Sequence, residues 1–390
     1  MFFPEKILSL TANFKENNIM KIIYLLLLSS LLLSCGKDSG DKTEPANEDT
    51  AKNSAQKDTV IIEEPVVKPE EKISDKAINS QNENVQKLYS FLYENYGKKT
   101  ISGAMANVSM EQSEAALVKA AIGKMPVIQT IDYIHLQYSW GKDYYTDISK
   151  LKEHYNKGGI IAAGWHTMVP EKETEVSKED KWVYKTTGFK PSRAVKAGTW
   201  ENTFFNKSLE DCAARLMLFK EEGIPVIWRP LHEASGAWFW WGQENAESYK
   251  KLWIYMFDFF KENGLDNLIW VWTSQIGVGQ WDKDDDSDWY PGSEYVDLVA
   301  RDCYERSAAE AAKEFEKIQK VFPGKMVTLG ECGSVGKISE IFSLGGKYSY
   351  FMPWYTYNLT DLDKSDHANT AWWKDAAECT NVVFLEEKTF

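Results

Sequence analysis

Residues 224–242 read IPVIWRPLHEASGAWFWWG, an apolar run that ends at a His-Glu pair and continues into a cluster of aromatic residues. The apolar run has the length and composition of a buried β-strand. The aromatic residues that follow Glu233 are Trp238, Phe239, Trp240 and Trp241. Apolar surroundings keep a carboxyl group protonated near neutral pH, and flat rings cover the C–H faces of a sugar. The stretch therefore predicts a strand that delivers an acid to a carbohydrate site.

Seven further apolar runs resemble the strand at 224–230, and they occupy residues 100–104, 125–131, 159–166, 267–273, 296–304, 326–331 and 348–354. Amphipathic helical segments lie between them, at residues 113–121, 148–157, 209–222, 246–262, 308–320 and 369–377. Glycines at 123, 158, 223 and 264 stand where helix C-termini favour them. Continuous apolar runs are typical of parallel strands buried on both faces. Eight such units over about 300 residues predict an α/β fold, a (β/α)₈ TIM barrel.

Polar or aromatic side chains stand at the end of five of these runs, namely His166, Glu233, Tyr304, Glu331 and Trp354. In a (β/α)₈ barrel the carboxyl ends of the strands form the site-bearing face. Glycoside hydrolysis needs two carboxyl groups flanking one bond, where one protonates the leaving oxygen and the other attacks C1 or activates water. Glu233 and Glu331 are the pair in this position. The alternative for each alone is structural: a salt bridge of Glu233 with Arg229, and a helix-proximal acid for Glu331.

The motif Arg229-Pro-Leu-His-Glu with its spaced tryptophans resembles the acid/base motif of glycoside hydrolase family 26, the β-mannanase family. The resemblance extends from about residue 85 to the C-terminus. It implies that Glu233 is the general acid/base and Glu331 the nucleophile, with a covalent intermediate and net retention. The residues that it implies for substrate binding are His166, His232, Trp238, Asp302, Tyr304 and Trp354. In this implied set Tyr304 donates a hydrogen bond to the nucleophile, and Trp354 forms the floor of the subsite that binds the sugar at the cleaved bond. Cys332, directly after the nucleophile, is uncommon in the family.

Other motifs exclude several functions. The His-Glu pair begins like a zinc-protease motif, but Gly236 replaces the second histidine, and the cysteines show no zinc spacing. We therefore expect no metal and no cofactor. Residues 282–288 are acidic but lack the glycine and terminal glutamate of an EF-hand, which favours a solvated loop. The net charge of −13 argues against nucleic acid and suits a neutral glycan. Aromatic residues make up 14% of the chain. Packing in the core and a platform for a sugar ring are both compatible with Trp200, Trp270, Trp272, Trp281, Trp289, Trp372 and Trp373.

The N-terminal residues 1–35 predict an extension and a lipoprotein signal. A basic start at Met20, a short apolar run and the sequence Leu-Leu-Ser-Cys35 resemble a bacterial lipobox, cleaved before Cys35, whose thiol is then acylated. Residues 36–80 are polar and acidic, which predicts a disordered linker, and residues 81–390 form the catalytic domain. We expect an outer-membrane lipoprotein, held by lipid on Cys35 and facing the periplasm or the cell surface. For Cys212, Cys303, Cys332 and Cys379, buried thiols are favoured over two disulfides.

Taken together, these features predict a monomeric, lipid-anchored, retaining endo-acting hydrolase of β-1,4-mannosidic bonds in mannan, glucomannan or galactomannan. One alternative is the same fold acting on mixed-linkage β-glucan or β-1,3-xylan. An alternative of another class is a non-catalytic glycan-binding lipoprotein, against which the presence of both Glu233 and Glu331 argues.

Overall fold

The computed structural model describes residues 72–107, 109–275 and 284–388, and its centre is a closed barrel of eight parallel strands. The strands are β1 (Thr100–Met105), β2 (Ile128–Asp132), β3 (Ile160–Trp165), β4 (Val226–Pro230), β5 (Leu268–Ser274), β6 (Leu298–Tyr304), β7 (Met326–Gly333) and β8 (Tyr350–Pro353). They follow one another in chain order, and β1 pairs with both β2 and β8. The predicted eight-stranded barrel is confirmed. A two-residue strand, β9 (Val382–Val383), also pairs with β1.

The helices within the described residues are α1 (Glu83–Asn95), α2 (Ser113–Ile122), α3 (Ser149–Asn156), α4 (Pro191–Ala194), α5 (Trp200–Glu221), α6 (Ala246–Glu262), α7 (Ala308–Val321), α8 (Ile338–Ser343) and α9 (Thr370–Glu378). Helix α5 begins well before the predicted residue 209. Thr199 is the reason, because its hydroxyl accepts a hydrogen bond from the Asn202 N–H and caps the helix there. The four glycines predicted at helix ends all have positive φ, from 68° to 92°.

Both faces of the barrel strands are buried, and most of the tryptophans belong to the core. Trp270, Trp272, Trp289 and Trp373 are at most 2% exposed, and Trp372 is also buried. Trp200 is partly buried and packs against the same core, whereas Trp281 lies outside the described residues. For the six of these tryptophans that the structure describes, the core alternative is therefore the one observed. The high aromatic content mainly serves packing between the barrel and its helices.

The folded body begins earlier than the predicted boundary at residue 81. Ala77 is buried, the Ile78 N–H donates to Asp297 Oδ1 at 2.7 Å, and the Asn79 amide donates to the Leu268 carbonyl at 2.8 Å. These bonds satisfy polar groups at the amino-terminal side of β5 and β6, so residues 77–79 are part of the domain rather than of a linker. The predicted signal, Cys35 and the linker up to residue 71 lie outside the described residues. None of the helices in the described ranges has the length and apolarity to cross a bilayer.

Two smaller expectations had different outcomes. Cys212, Cys303, Cys332 and Cys379 are free thiols, the first three of them buried, as favoured. The acidic segment is only partly a solvated loop, because Asp286 is 3% exposed. Its carboxylate accepts a hydrogen bond from Ser274 and lies 3.2 Å from Lys317 Nζ. A buried carboxylate needs such partners, and this one ties the segment to β5 and α7.

Candidate active site

The loop after β4 carries Glu233 in a strained backbone conformation. Leu231, Glu233 and Ala237 have φ values of 46°, 54° and 58°, which non-glycine residues rarely adopt. Such strain costs about 1–3 kcal/mol per residue and persists only where the surroundings enforce it. Short 3₁₀ helices at Ala234–Gly236 and Trp240–Gly242 give the loop its compact shape.

Buried tryptophans enforce this loop conformation. The Trp241 indole N–H donates to the His232 carbonyl at 2.8 Å, and the Trp240 indole N–H donates to the Thr167 carbonyl at 3.0 Å. Both side chains are fully buried, so both serve packing. At Gly242 a Cβ atom would stand 1.7 Å from the Ala234 carbonyl oxygen, which excludes any other residue there. The aromatic half of the motif therefore fixes the position of the acid.

Three buried carboxyl groups meet at the carboxyl ends of the strands. One oxygen each of Glu233, Asp302 and Glu331 lies within 4.8 Å of the others. Asp302 and Glu331 occupy paired positions on β6 and β7. Carboxylates at this spacing can hold a divalent cation or share one reaction centre. The two glutamates predicted to act together are thus brought together.

Arg229, on β4, supplies the positive charge of this cluster. Its Nη1 donates to Glu331 Oε1 at 2.7 Å, its Nη2 donates to Asp302 Oδ2, and its Nε donates to Thr273 Oγ1 at 2.9 Å. The sequence suggested Arg229 only as a structural partner of Glu233. With the guanidinium already bound to two of the three carboxylates, the cluster is organised around an internal cation rather than around a metal.

The electrostatic environment gives Glu233 the character of an acid. Burial raises its pKa well above the usual value, and the negative charges of Asp302 and Glu331 raise it further. The Trp238 indole N–H donates to Glu233 Oε2 at 3.0 Å. Burial also raises the pKa of Asp302, to about 7, although Arg229 opposes that shift. Since Asp302 is paired with Arg229, the proton that these acids retain belongs on Glu233.

Glu331 is held at both oxygens. The Tyr304 hydroxyl donates to Oε2 at 2.7 Å while Arg229 donates to Oε1. Burial and the neighbouring charge of Glu331 raise the pKa of Tyr304, so the phenol keeps the proton that it donates. His232 Nε2 lies 3.7 Å from Oε1. A carboxylate fixed in this way has one orientation, which a nucleophile requires.

The pKa values of two histidines next to the carboxylates are shifted in opposite directions. The backbone N–H of His166 donates to Asp132 Oδ1 at 3.0 Å, and its Nδ1 contacts Asp132 Oδ2. Burial is the largest effect on His166 and lowers its pKa, but the charge of Asp132, the hydrogen bond to it and the charge of Glu331 together outweigh burial, so the net shift is upward. Burial, then the charges of His166 and Arg229, place the pKa of His232 well below its usual value. The protonated form is therefore favoured at His166 and disfavoured at His232, and the two ring centroids lie 4.3 Å apart.

The predicted catalytic and substrate-binding residues all lie in this region, whereas the predicted lipidation site, Cys35, lies outside the described residues. Trp354 lies 5.7 Å from the His166 ring, between centroids, and Trp238 is half-buried beside Glu233. The sequence did not identify Arg229 as a site residue and did not identify Asp132 at all. A charged residue inside an otherwise apolar strand end was the available signal for both, since buried charges require partners.

Comparisons with known proteins match most of the described chain to one family. A family model described as glycosyl hydrolase family 26 matches residues 78–377. A mannan endo-1,4-beta-mannosidase of Thermothelomyces thermophilus is 26% identical over 76% of the chain and 60% of the relative. Mannan endo-1,4-beta-mannosidase B of Piromyces is 30% identical over 69% of the chain and 46% of the relative. The chain thus spans between about half and three fifths of the length of these curated relatives.

Solved structures are similar over most of their length. The GH26 domain of an endo-beta-mannanase/endo-beta-glucanase from Prevotella bryantii is 34% identical, with a TM-score of 0.74 over 80% of this chain and 99% of that one. A beta-mannanase from a symbiotic protist of the termite Reticulitermes speratus, complexed with a gluco-manno-oligosaccharide, is 33% identical, with a TM-score of 0.71 over 82% of this chain and 98% of that one.

Replacing Arg229 with alanine is expected to destabilise the domain in a pH-dependent way. Breaking a buried ion pair costs about 3–5 kcal/mol because the partner charges stay buried. The folded-state pKa of Asp302 is raised to about 7, and losing Arg229 raises it further. The deficit is therefore smallest at about pH 5, where Asp302 is protonated in the folded state of both the wild type and the variant, and it grows as the pH rises above 7 towards about pH 9. Urea unfolding at both pH values measures it.

Arg306→Ala is the matched control, because this arginine is exposed and its loss is expected to change stability by at most about 0.5 kcal/mol. If Arg229→Ala loses no more stability than Arg306→Ala, or if its loss of stability does not vary with pH, the role assigned to Arg229 is contradicted.

Proposed function

The chain belongs to glycosyl hydrolase family 26, and on that premise we propose that it is a retaining endo-β-1,4-mannanase acting on mannan, glucomannan or galactomannan. The observation that carries the proposal is the buried cluster in which oxygens of Glu233 and Glu331 lie within 4.8 Å. Retaining glycosidases separate their two carboxyl groups by about 5–5.5 Å, whereas inverting enzymes leave about 6.5–9.5 Å for a water molecule. The names of the relatives support mannan as the substrate.

In the first step, Glu331 attacks the anomeric carbon as Glu233 protonates the departing glycosidic oxygen. The bond between C1 and the leaving oxygen breaks, and an ester bond between C1 and Glu331 forms. Arg229 and Tyr304 hold the attacking carboxylate in place. The raised pKa of Glu233 keeps the proton available near neutral pH.

In the second step, Glu233 takes a proton from water, and the hydroxide displaces Glu331 with a second inversion at C1. The charge of Glu331 is one cause of the raised pKa of Glu233. Ester formation removes that charge, so the pKa of Glu233 falls when the residue must act as a base. One side chain thereby serves as the acid in one step and the base in the next.

The remaining residues bind the sugar at the cleaved bond. We assign His166 and His232 to hydrogen bonds with its hydroxyls, where His166 has a raised pKa and His232 offers a ring whose pKa is lowered. Trp354 supplies a flat face, and Trp238 supplies the wall next to the acid. The Oδ1 atom of Asp302 accepts no hydrogen bond from the described protein residues. Protonated Glu233 is the neighbouring group that can donate one to it.

A reducing-sugar assay of the wild type on mannan, glucomannan, lichenan and β-1,3-xylan tests the proposal. We expect cleavage of mannan and glucomannan, with proton NMR of the first product showing the β-anomer. Preference for lichenan or xylan would identify the related specificities, and glycan binding without cleavage would identify a binding protein. An α-anomeric first product would exclude the double displacement.

Two glutamate substitutions separate the catalytic roles. Glu331→Ala is expected to lower kcat by at least about 10³-fold on every substrate because the nucleophile is lost. Glu233→Ala is expected to lose about 10²–10⁴-fold on mannan but far less in the first step on an aryl mannoside, whose leaving group needs no proton. The wild type should lose activity on mannan as the pH rises and Glu233 ionises, and Glu233→Ala should lack this basic limb on the aryl mannoside.

Glu294→Ala, which removes an exposed glutamate, is the control and should match the wild type. Equal losses of Glu233→Ala on both substrates would argue against the acid role.

We also propose that the chain is a lipoprotein anchored through Cys35, and the support is the lipobox-like sequence alone. Cys35→Ser is expected to move the protein from the membrane fraction to the soluble fraction and to abolish labelling by radioactive palmitate. Unchanged labelling in the variant would refute the assignment. Protease treatment of intact cells then distinguishes the surface from the periplasm.

A further inference from the structure

A histidine that the proposed mechanism does not use lies beside the tyrosine that holds the nucleophile. His367 belongs to the segment between β8 and α9. Its ring meets the ring of Tyr304 edge to face, with centroids 5.8 Å apart and planes 74° apart. The hydroxyl of Tyr304 donates to Glu331 Oε2 at 2.7 Å. His367 is therefore one side chain removed from the nucleophile, in contact with the ring whose orientation determines that hydrogen bond.

Gly333 gives the two rings room to meet. This glycine is the last residue of β7, two positions after Glu331. A Cβ atom at this position would overlap His367 Nδ1 and would lie 2.8 Å from Tyr304 Cδ1. Both distances are well below the separation at which non-bonded atoms attract each other. The rings of His367 and Tyr304 thus pack over the bare backbone of the strand that carries the nucleophile.

Hydrogen bonds join the segment that carries His367 to the end of β7. The Ser334 N–H donates to the His367 carbonyl at 2.9 Å, and the Ser334 hydroxyl donates to the Asp366 carbonyl at 2.9 Å. The hydroxyl oxygen of Ser365 accepts from the N–H groups of His367 and Ala368, at 3.2 and 3.1 Å. The position of the His367 ring relative to Glu331 is therefore fixed by backbone contacts with the strand of the nucleophile itself.

The surroundings of His367 favour a neutral ring. Burial lowers its pKa, and the charges of Asp366 and Glu331 oppose this shift without reversing it. The neutral form therefore predominates at pH 7, so the ring adds no positive charge to a cluster that already contains Arg229. A neutral ring that meets another ring edge to face contributes packing. The contact with Tyr304 is thus the interaction through which His367 affects Glu331.

Tyr304 needs such a contact because it stands at the edge of the core. It is the last residue of β6 and is half-buried, and the next two residues, Glu305 and Arg306, are exposed. Side chains that are open to solvent change between staggered rotamers within picoseconds to nanoseconds. Packing against His367 restricts this rotation, and it thereby keeps the phenol in the one orientation that reaches Glu331.

We propose that His367 is a positioning residue that packs against Tyr304 and keeps the hydroxyl of that tyrosine on the nucleophile Glu331. The inference rests on the proposed double displacement, in which Glu331 attacks as a carboxylate held by Tyr304 and Arg229. It extends the catalytic site to the segment after β8, which acts on the nucleophile through a second side chain. Loss of the packing should slow the chemical step and leave substrate binding nearly unchanged.

The test is a double-mutant cycle with Tyr304→Phe, which keeps the ring and removes the hydroxyl. The values of kcat and KM on mannan are measured for the wild type, the two single variants and the double variant. His367→Ala is expected to lower kcat about 3–10-fold, the value of one aromatic contact, with KM changed by less than about twofold. Tyr304→Phe is expected to lower kcat about 10–100-fold, the value of a hydrogen bond to a charged group. In the Tyr304→Phe background, His367→Ala should cause no further loss, because the hydroxyl that it positions is absent.

Three further variants control the cycle. Lys364→Ala removes an exposed side chain from the same segment and should match the wild type. His367→Phe keeps an aromatic ring and should retain most of the activity, whereas His367→Asn keeps a polar group without the ring and should resemble His367→Ala. Thermal unfolding shows whether each variant is folded at the assay temperature. If His367→Ala is unfolded there, His367→Asn takes its place in the cycle.

Each outcome decides the inference. A loss from His367→Ala that is equally large with and without the Tyr304 hydroxyl would overturn it, because His367 would then act independently of that hydroxyl. Activity that is retained in His367→Asn but lost in His367→Phe would also overturn it and would assign His367 to a hydrogen bond with the substrate. Both results leave the proposed function intact. Failure of the wild type to cleave mannan would overturn the proposed function and the inference together.

Discussion

The pairing of Arg229 with Asp302 and Glu331 is the interaction on which the site depends. Three carboxyl groups within 4.8 Å of one another, all buried, would repel one another if each were ionised. The guanidinium compensates two of them, and the third, Glu233, keeps a proton. Asp132 contacts Nδ1 of His166 and is among the groups that raise its pKa. Arg229 thus favours the ionised forms of Asp302 and Glu331, and the proton stays on Glu233, the residue that must donate it.

This arrangement of charges requires a strained backbone conformation in the loop that carries Glu233. Glu233 has a φ of 54°, and its loop returns across the strand ends. The energy for holding it comes from Trp240 and Trp241, which are buried completely and donate their indole N–H groups to backbone carbonyls. Loss of this packing would relax the loop and shift the acid, and displacements of about 1 Å already cost about 100-fold in rate in enzymes. The packing of the core therefore determines the position of the catalytic acid.

The eight strands, the two glutamates and the strand-end residues His166, Tyr304 and Trp354 could be predicted because apolar runs and strand-end positions are local patterns. His232, Trp238 and Asp302 were implied by the family resemblance. Contacts between residues that are far apart in the sequence could not be predicted from such local patterns. Arg229 binds groups 73 and 102 residues away, and from sequence alone its neighbour Glu233 was the natural structural partner. Asp132 was missed because its only signal was a carboxylate that ends an apolar run. Ile78 and Asn79 were predicted to belong to the linker because their hydrogen-bond partners, Asp297 and Leu268, come close to them only in the folded barrel.

The aromatic residues divide into three groups that composition cannot separate. Most are core, a few such as Trp354 border the reacting sugar, and Trp140 and Tyr144 stand in solvent. Trp238 links these roles, because its indole N–H binds Glu233 Oε2. That hydrogen bond stabilises the ionised acid, whereas burial and the charges of Asp302 and Glu331 stabilise the protonated acid. Two opposing effects of this kind keep the pKa of Glu233 responsive to its surroundings. Neutralising Glu331 then removes one of them, which is the change that a residue acting as acid and afterwards as base requires.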